Sequence, residues 1–313
     1  MRAPTVTVLL VNWRTPELTV RAVRALTDDG VSPADIVVVD NASGDGSVES
    51  IRAAVPGVEV VALPENVGFA RANNEAARRR PADVFLLVNS DAIVCRGGTV
   101  LALLEPFARP DVGIVVPLLL NEDHSVQPSV APLPSPLVAA VQASGLSRLV
   151  PDRLQPSLGT HWRHGREREV QAATGAVMLV RRSVWDALGG FDESSFMYAE
   201  DRDLCWRARR AGWSVWFTPK ASFVHLGNAS AGDRWTAVQR AEQVGVAEAA
   251  MVRRHLGPAR AAVTLALIRG GLRARVAVAR LIGRPEAASR FRGALRGFST
   301  ADRRGTGSES PMP

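Results

Sequence analysis

Three carboxylates stand within four residues, at Glu200, Asp201 and Asp203. Grouping them costs electrostatic repulsion, so the cluster indicates a use for the charge, either cation binding or proton transfer. A predicted helix start explains part of it, because unpaired N–H groups and the helix dipole favour acidic side chains there. A set of aromatic and flexible residues leads directly into the acids, namely Phe191, Phe196, Met197 and Tyr198. A carboxylate with aromatic walls beside it is suited to act as general base for a sugar hydroxyl.

Two loop-to-helix junctions are candidates for binding a nucleotide. Asp40 begins a polar segment that runs to Ser47, and a carboxylate there can accept hydrogen bonds from a base N–H or a ribose hydroxyl, while the glycines permit close backbone approach. The alternative is an Asx-turn and helix cap without a ligand. At Asn66 to Gly68 a second helix begins, where free N–H groups and Arg71 are suited to a diphosphate. The alternative there is an ordinary Asn cap.

Asp91 and His225 are candidate ligands for a divalent metal ion. Asp91 ends an apolar strand, and a hard cation on a nucleotide diphosphate needs only one or two protein carboxylates, because phosphates and water supply the other ligands. A turn-forming Asp is the alternative. His225 follows another apolar run and is ordinarily a core residue, but imidazole binds Mn²⁺-type ions beside carboxylates if Asp91 lies near it.

The first half of the chain alternates predicted strands and helices. This βαβαβ pattern predicts an α/β fold with a mostly parallel, doubly wound, Rossmann-like sheet and helices on both faces. Ligands of such sheets bind at the carboxyl ends of the strands, where Asn12, Asp40 and Asp91 fall. The strands are predicted at 6–11, 36–39, 58–62 and 84–88, and the helices at 16–26 (capped by Thr15), 47–54 and 69–80.

The second half is less regular. Residues 121–168 predict an excursion of loops and short helices over an acceptor site. The further strands are predicted at 176–180 and 215–218, and the helices at 182–188, 201–211 and 236–255. We expect a domain over 1–257, a basic amphipathic helical extension over 258–298 with a break at Gly270-Gly271, and a disordered tail over 299–313.

Composition excludes several classes of protein. The chain has 313 residues, 46% of them hydrophobic, which suffices for one large domain with an appendage. Its two cysteines lack metal or disulfide spacing, which favours a reducing cytoplasm. The apolar run Val6 to Val11 is too short for a signal-peptide core, and no stretch approaches the roughly 20 apolar residues that span a bilayer.

In their order and spacing, these motifs together resemble a known family. The Asn-Val-Gly-Phe-Ala block at 66–70, Gly-Gly-Phe-Asp-Glu at 189–193 and Glu-Asp-x-Asp-Leu-Cys-x-Arg at 200–207 are its most specific parts. From residue 5 to about 255 the chain resembles the inverting family 2 glycosyltransferases of the GT-A fold, and within them the bacterial rhamnosyltransferase-type members.

The resemblance implies a role for each matching residue. Asp201 matches the catalytic base, and Asp91 matches the first acid of the Asp-x-Asp metal motif. Ile93 stands where the motif has its second acid, so His225 is expected to supply the second ligand for Mg²⁺ or Mn²⁺. The expected donor-binding residues are Asn12, Asp40, Asn41, Asn66, Gly68, Arg71 and Asn74. The expected acceptor-side residues are Thr174, Gly175, Glu200 and Asp203.

The implied reaction moves a sugar, with inversion, from a nucleotide-diphosphate donor to a hydroxyl of a cell-envelope glycan or polyprenyl-diphosphate-linked acceptor. L-Rhamnose from dTDP-rhamnose is the first expectation. A UDP-galactofuranose or UDP-N-acetylglucosamine donor is an alternative, and a non-catalytic nucleotide-sugar or glycan-binding protein is another.

The basic tail predicts where the protein works. Residues 253–313 hold thirteen arginines against three acids, a net charge of +10 in a chain of net +7. Arginines interleaved with apolar residues are typical of segments that lie on anionic membrane, so we expect a cytoplasmic protein on the inner face of the plasma membrane. A helix packed on the body or a homo-oligomer contact is the alternative. Nucleic acid is disfavoured, since no recognition motif accompanies the charge.

Overall fold

The computed structural model describes residues 4–159, 161–194, 196–227 and 235–300. The chain divides into two compact units. The first comprises Met1–Ala131, Arg163–Phe196 and Glu200–Ser230, and the second comprises Pro132–Trp162, Met197–Ala199 and Ala231–Pro313. The domain boundary expected at residue 257 lies within the second unit.

A ten-stranded mixed sheet is the centre of the first unit. Its main path runs in the order β3-β2-β1-β4-β11-β6-β12-β5, with β7 on β6 and β9 on β12, while β8 and β10 form a separate pair. The strands are β1 (Val6–Asn12), β2 (Ile36–Asp40), β3 (Glu59–Ala62), β4 (Val84–Asn89), β5 (Ala92–Val94), β6 (Val112–Leu120), β7 (Val126–Gln127), β8 (Val130–Ala131), β9 (Arg168–Val170), β10 (Ala172–Ala173), β11 (Val177–Arg181) and β12 (Ser214–His225).

The first four strands are parallel, as their sequence predicts. Asn12 pairs with Asp40, and Val11 pairs with Asn89, so the ends of β1, β2 and β4 lie side by side. Their side chains are almost wholly buried because helices cover both faces, which explains the continuous apolar runs. The shared edge is therefore where polar residues that follow these strands gather.

Strand β12 is longer than the sequence predicts and delivers His225 to this edge. The predicted strand ends at Thr218, but β12 continues past an irregularity between Thr218 and Ser222. It runs parallel to β6 and antiparallel to β5, where His225 pairs with Ala92. His225 is therefore the last residue of the strand and sits beside the residue that follows Asp91.

The helices of the first unit connect these strands. They are α1 (Pro16–Asp28), α2 (Ser47–Ala54), α3 (Phe69–Arg79), α4 (Thr99–Leu104), α7 (Arg182–Leu188) and α8 (Glu200–Arg210). Helix α8 places Glu200, Asp201 and Asp203 in its first turn and arginines in its last, which matches the sign of the helix dipole at both ends.

The second unit is helical among its described residues. Its helices are α5 (Pro136–Ala143), α6 (Gln155–Leu158), α9 (Ala237–His255), α10 (Pro258–Leu281) and α11 (Pro285–Thr300). Thr236 begins α9 with a capping box, its hydroxyl accepting from Gln239 N–H while Gln239 returns to the Thr236 N–H. None of the helices described here has the length and apolarity to cross a bilayer.

The break expected at Gly270-Gly271 is absent, because α10 continues through both residues. The reason is packing. A Cβ on Gly271 would lie 2.8 Å from Ala143 Cα, so the missing side chain lets α10 approach α5, and Arg275 donates to Gln142 O at 2.9 Å beside it. Residues 299 and 300, expected to be disordered, form the end of α11, and 301–313 lie outside the described residues.

The two adjacent glycines predict opposite effects of the same substitution. Gly270→Ala should raise the free energy of unfolding by about 0.5–1 kcal/mol, since nothing lies within 4 Å of its new Cβ and alanine favours the helix. Gly271→Ala gains the same propensity but clashes with Ala143, so it should be less stable than Gly270→Ala by ~1–3 kcal/mol. Urea unfolding of both variants measures this, and equal stability of the two would contradict the packing.

Candidate active site

A buried network joins the ends of β1 and β2. Asn12 Nδ2 donates to Asp40 Oδ2 at 2.7 Å and to Ser43 Oγ at 3.2 Å. Ser43 in turn donates to Asp40 through its N–H at 3.0 Å and its hydroxyl at 2.6 Å. Thr19 fixes the amide from the other side, donating to Asn12 Oδ1 at 2.8 Å. Asp40 thus accepts its hydrogen bonds here from neutral donors at the edge of the sheet.

A second network shapes the loop before α3. Asn41 Nδ2 donates to Asn66 Oδ1 at 3.0 Å and to Gly68 O at 3.3 Å, and Val67 N–H donates to Asn41 Oδ1 at 2.9 Å. Gly68 has a φ of +85°, and a Cβ there would collide with the Phe196 backbone. Asn41, Asn66 and Gly68 therefore form one rigid turn next to Asp40.

Arg71 and Asn74, also expected at the donor, contact a different segment. Asn74 accepts from Phe191 N–H and donates to Phe191 O and to Glu193 Oε1, each at 2.9 Å. Arg71 is exposed, and its Nε lies 3.9 Å from Glu193 Oε2. These contacts hold the loop before α8, and a donor role for both residues stays a prediction.

Asp91 and His225 are brought together, as the metal prediction requires. His225 Nε2 lies 3.3 Å from Asp91 Oδ1, and the two side chains are 14% and 1% exposed. The turn from β4 into β5 positions Asp91, and Leu226 N–H donates to the Asp91 carbonyl at 3.0 Å. Ile93, which stands where the resemblance expects a second carboxylate, packs against the hydrophobic core.

The side-chain atoms of Asp91 and His225 suit a hard divalent cation as ligands. Asp91 Oδ1 and Asn89 Oδ1 are buried and lack a hydrogen-bond partner among the described residues. Such buried oxygens need a donor or a cation. Within the described ranges no cluster of three or more His, Cys, Asp or Glu side chains forms a complete metal site, so phosphate and water oxygens would have to complete the coordination.

Asp201 is tied to the segment between β10 and β11. Gly175 N–H donates to Asp201 Oδ2 at 2.7 Å, and Arg202 N–H donates to Oδ1 at 2.6 Å. A Cβ on Gly175 would lie 2.9 Å from Asp201 Cβ, so this approach requires glycine. Asn89 N–H donates to Ala176 O at 2.9 Å, which connects this segment to the end of β4. Asp201 therefore lies at the same edge of the sheet as the Asn12–Asp40–Ser43 and Asn41–Asn66–Gly68 networks.

Glu200 and Asp203 differ in their surroundings. Burial, together with the negative charges of Asp201 and Asp203, raises the pKa of Glu200 to about 8. Glu200 Oε2 lacks a hydrogen-bond partner among the described residues. Asp203 accepts from Arg207 Nε at 2.6 Å, and Arg207 also donates to Leu188 O and Gly190 O at 2.9 Å. This ion pair fixes the glycine turn ahead of the acidic helix.

Thr174 joins the acceptor-side group through its backbone, because its N–H donates to Ser129 O at 2.8 Å beside the β8–β10 pair. Ser43 and Gln127 also belong to the site, although the motifs did not predict them. Ser43 lies inside the motif that begins at Asp40. A serine three residues after an aspartate is a recognisable signal, because its hydroxyl can donate back to that carboxylate. Gln127 carries no such signal, since its contact to His225 depends on the pairing of distant strands.

Comparison with known proteins identifies relatives of this chain. Residues 3–255 match a protein-family model described as "Glycosyltransferase like family 2". The "N-acetylglucosaminyl-diphospho-decaprenol L-rhamnosyltransferase" of Mycobacterium tuberculosis is 31% identical over 214 residues, which is 62% of this chain and 66% of that protein. This chain therefore spans just under two thirds of that relative's length.

Solved structures share the fold. The mannosyltransferase PcManGT from Pyrobaculum calidifontis, in complex with GDP-Man and Mn²⁺, matches with a TM-score of 0.60 at 16% identity, over 96% of this chain and 88% of that one. GalNAc-T7 with UDP, GalNAc and Mn²⁺ matches with a TM-score of 0.52 at 16% identity, over 78% of this chain and 48% of that one. These matches confirm the GT-A-like fold.

The raised pKa of Glu200 predicts a pH-dependent stability. Its protonated form is the stable one in the fold, so its contribution is present in acid and is lost as pH rises toward about 8. The side chain in Glu200→Gln stays neutral at every pH. The free energy of unfolding of this variant, relative to that of the unmodified chain, should therefore rise by about 2–4 kcal/mol between pH 5 and pH 9. Denaturant unfolding at several pH values measures this. The exposed Glu59→Gln is the control, and a flat difference for Glu200→Gln would refute the assignment.

Proposed function

Because this chain belongs to glycosyltransferase family 2, we propose that it transfers L-rhamnose from dTDP-rhamnose to a hydroxyl of a polyprenyl-diphosphate-linked cell-envelope glycan. The mycobacterial relative supports the sugar and the lipid-linked acceptor. The observation that carries the proposal is the gathering of three groups at one edge of the sheet. These are the Asn12–Asp40–Ser43 network, the Asp91–His225 pair, and Asp201 on the Gly175 segment.

The nucleoside diphosphate binds over the ends of β1 and β2 in this proposal. Asp40 accepts from the base or the ribose, and the Asn41–Asn66–Gly68 turn supports the opposite side of the nucleotide. Both networks are complete without a ligand, so little side-chain freedom is lost on binding. Arg71 contacts the diphosphate in this proposal, and Asn74 holds the loop that borders it.

Asp201 is the general base. As the acceptor oxygen forms its bond to the anomeric carbon, the bond to the diphosphate oxygen breaks and that oxygen leaves with the electron pair. The acceptor proton passes to Asp201, whose carboxylate also accepts the Gly175 and Arg202 N–H groups. One displacement from the opposite face inverts the anomeric configuration. Thr174, Gly175 and the neutral Glu200 border the acceptor, and Asp203 positions the helix.

Asp91 and His225 would hold a divalent Mg²⁺ or Mn²⁺, and the buried Oδ1 atoms of Asp91 and Asn89, which lack a hydrogen-bond partner among the described residues, support a cation at the end of β4. When bound it stabilises negative charge on the departing diphosphate. The solved relatives with Mn²⁺ support this choice of ion.

Release of nucleoside diphosphate from a panel of nucleotide sugars tests the function. The purified protein is incubated with Mg²⁺ or Mn²⁺, with and without a short polyprenyl-diphosphate-sugar acceptor. Release from dTDP-rhamnose, raised by the acceptor and lost on chelation, is expected. Release only from UDP-galactofuranose or UDP-N-acetylglucosamine would replace the donor and keep the mechanism. No release from any donor with acceptor present would contradict the proposal.

Asp201→Asn should lower transfer by at least about a hundredfold, because the amide cannot accept the acceptor proton. Its Oδ1 can still accept a backbone N–H, so the affinity for nucleoside diphosphate should change little. Turnover and equilibrium nucleotide binding are measured on the same preparation, with exposed Asp152→Asn as the matched control. Retained turnover would refute the base assignment, and loss of nucleotide binding would indicate a structural role.

We also propose that the carboxyl-terminal part of α10 and the residues just after it dock on anionic membrane, as the charge of the tail predicts. The docking face comprises Arg273, Val278, Arg280, Leu281, Ile282 and Arg284. Leu281 is 88% exposed, and Val278 and Ile282 are more than half exposed. Among the described residues no acidic partner lies within ion-pair distance of its three arginines. An apolar patch with unneutralised arginines is suited to the interface of an anionic bilayer.

Binding to lipid vesicles tests the docking face. The full chain should sediment with phosphatidylglycerol vesicles and less with phosphatidylcholine vesicles. The double variant Arg280→Glu/Arg284→Glu should bind the former at least tenfold more weakly, since each arginine near the surface is worth about 1 kcal/mol. Leu101→Asp, which alters an exposed leucine of α4, is the control. If the double variant binds the vesicles as tightly as the unmodified chain, the docking face is refuted. If the unmodified chain self-associates with rising concentration and the double variant does not, an oligomer contact is favoured.

A further inference from the structure

We propose that Gln127 is a positioning residue that fixes the imidazole of His225 as a metal ligand. Gln127 Oε1 lies 2.7 Å from His225 Nδ1, and Gln127 Nε2 donates to the His225 carbonyl at 3.1 Å. The inference rests on the metal role proposed for Asp91 and His225, and it concerns the residue behind that pair.

The orientation of the Gln127 amide follows from its neighbours. A backbone carbonyl can only accept, so the atom of Gln127 that faces His225 O must be the NH₂ group. The same NH₂ group donates to Asn121 Oδ1 at 3.0 Å. Asn121 is oriented in turn, because the Ser125 hydroxyl donates to Asp123 Oδ1 at 2.6 Å and therefore accepts from Asn121 Nδ2 at 2.8 Å. The amide oxygen of Gln127 therefore faces the imidazole.

This orientation decides which ring nitrogen carries the proton. An amide oxygen has no hydrogen to give, so His225 Nδ1 must be the donor in the 2.7 Å contact. In the neutral ring, the lone pair of Nε2 is then directed at Asp91 Oδ1, 3.3 Å away. Two lone pairs at this distance repel each other, and a cation shared between them removes the repulsion. Gln127 thus selects the imidazole form that Asp91 can share with a metal ion.

Gln127 is held by local structure. It is the last residue of β7 and pairs with Leu119 of β6, across a hairpin whose turn contains Asn121 and Ser125. Asn121 N–H donates to Ser125 O at 2.8 Å, and His124 N–H donates to Asn121 O at 2.9 Å. The short hairpin supports the histidine. Mutation of a residue that hydrogen-bonds a metal-binding histidine typically lowers metal affinity ten- to a hundredfold.

Metal affinity of three variants tests the proposal without turnover. Mn²⁺ is titrated into full-length protein saturated with dTDP, and free Mn²⁺ is measured by electron paramagnetic resonance. Gln127→Met, which keeps the length but cannot accept from Nδ1, should bind Mn²⁺ at least tenfold more weakly. Gln127→Glu keeps an acceptor oxygen and should stay within about threefold of the unmodified chain. Asp91→Asn, which removes the carboxylate, reports on the metal site itself.

A second measurement reads the tautomer directly. Long-range ¹H–¹⁵N spectra separate Nδ1–H from Nε2–H imidazoles, and the chain has only five histidines, so His225→Gln assigns the signal. At a pH where the ring is neutral, His225 should be the Nδ1–H form, and Gln127→Met should lose that preference.

The two measurements separate the possible failures. The role of Gln127 would be overturned if His225 in the unmodified chain is the Nε2–H form. It would also be overturned if Gln127→Met keeps the Mn²⁺ affinity of the unmodified chain while Asp91→Asn binds Mn²⁺ more weakly. Mn²⁺ affinity that is insensitive to Asp91→Asn would overturn the proposed metal site. In that case the tautomer spectra would still decide whether Gln127 orients the ring.

Discussion

The hydrogen bond from the Gly175 N–H to Asp201 holds the proposed base in place. It ties the first turn of the acidic helix to the segment between β10 and β11, and it forms only because no Cβ intervenes. The next residue, Ala176, accepts from Asn89 at the end of β4. A short backbone path therefore links the proposed base to the strand that ends just before Asp91, the proposed metal ligand. The relative positions of these groups are set by main-chain atoms, which move less than side chains.

Much of the parallel half of the sheet could be predicted, and the reason is local. Runs such as Val6–Asn12 and Ile36–Asp40 are apolar because both faces of the sheet are covered, and their ends are marked by a polar residue. Asn12, Asp40 and Asp91 could be placed at one edge because parallel strands end together. The three acids of the 200–203 cluster were similarly visible from their spacing alone.

The remainder depends on partners distant in sequence. Strand β12 extends to His225 because β5 and β6 pair with its second half, although Pro219 and an irregularity interrupt its pattern. Helix α10 passes through Gly270-Gly271 because the missing side chain of the second glycine admits α5. The contact of Gln127 with His225 spans 98 residues. Propensity and periodicity report on local sequence, and none of these three features is local.

The burial of Glu200 has a consequence for how substrates arrive. A nucleotide sugar carries its negative charge on the diphosphate, and every ionised carboxylate near the edge of the sheet repels it during approach. A carboxyl that keeps its proton at neutral pH contributes oxygen atoms to the site without adding to that repulsion. The shielding of this one side chain from water therefore removes one charge that would otherwise oppose the approach of an anionic donor.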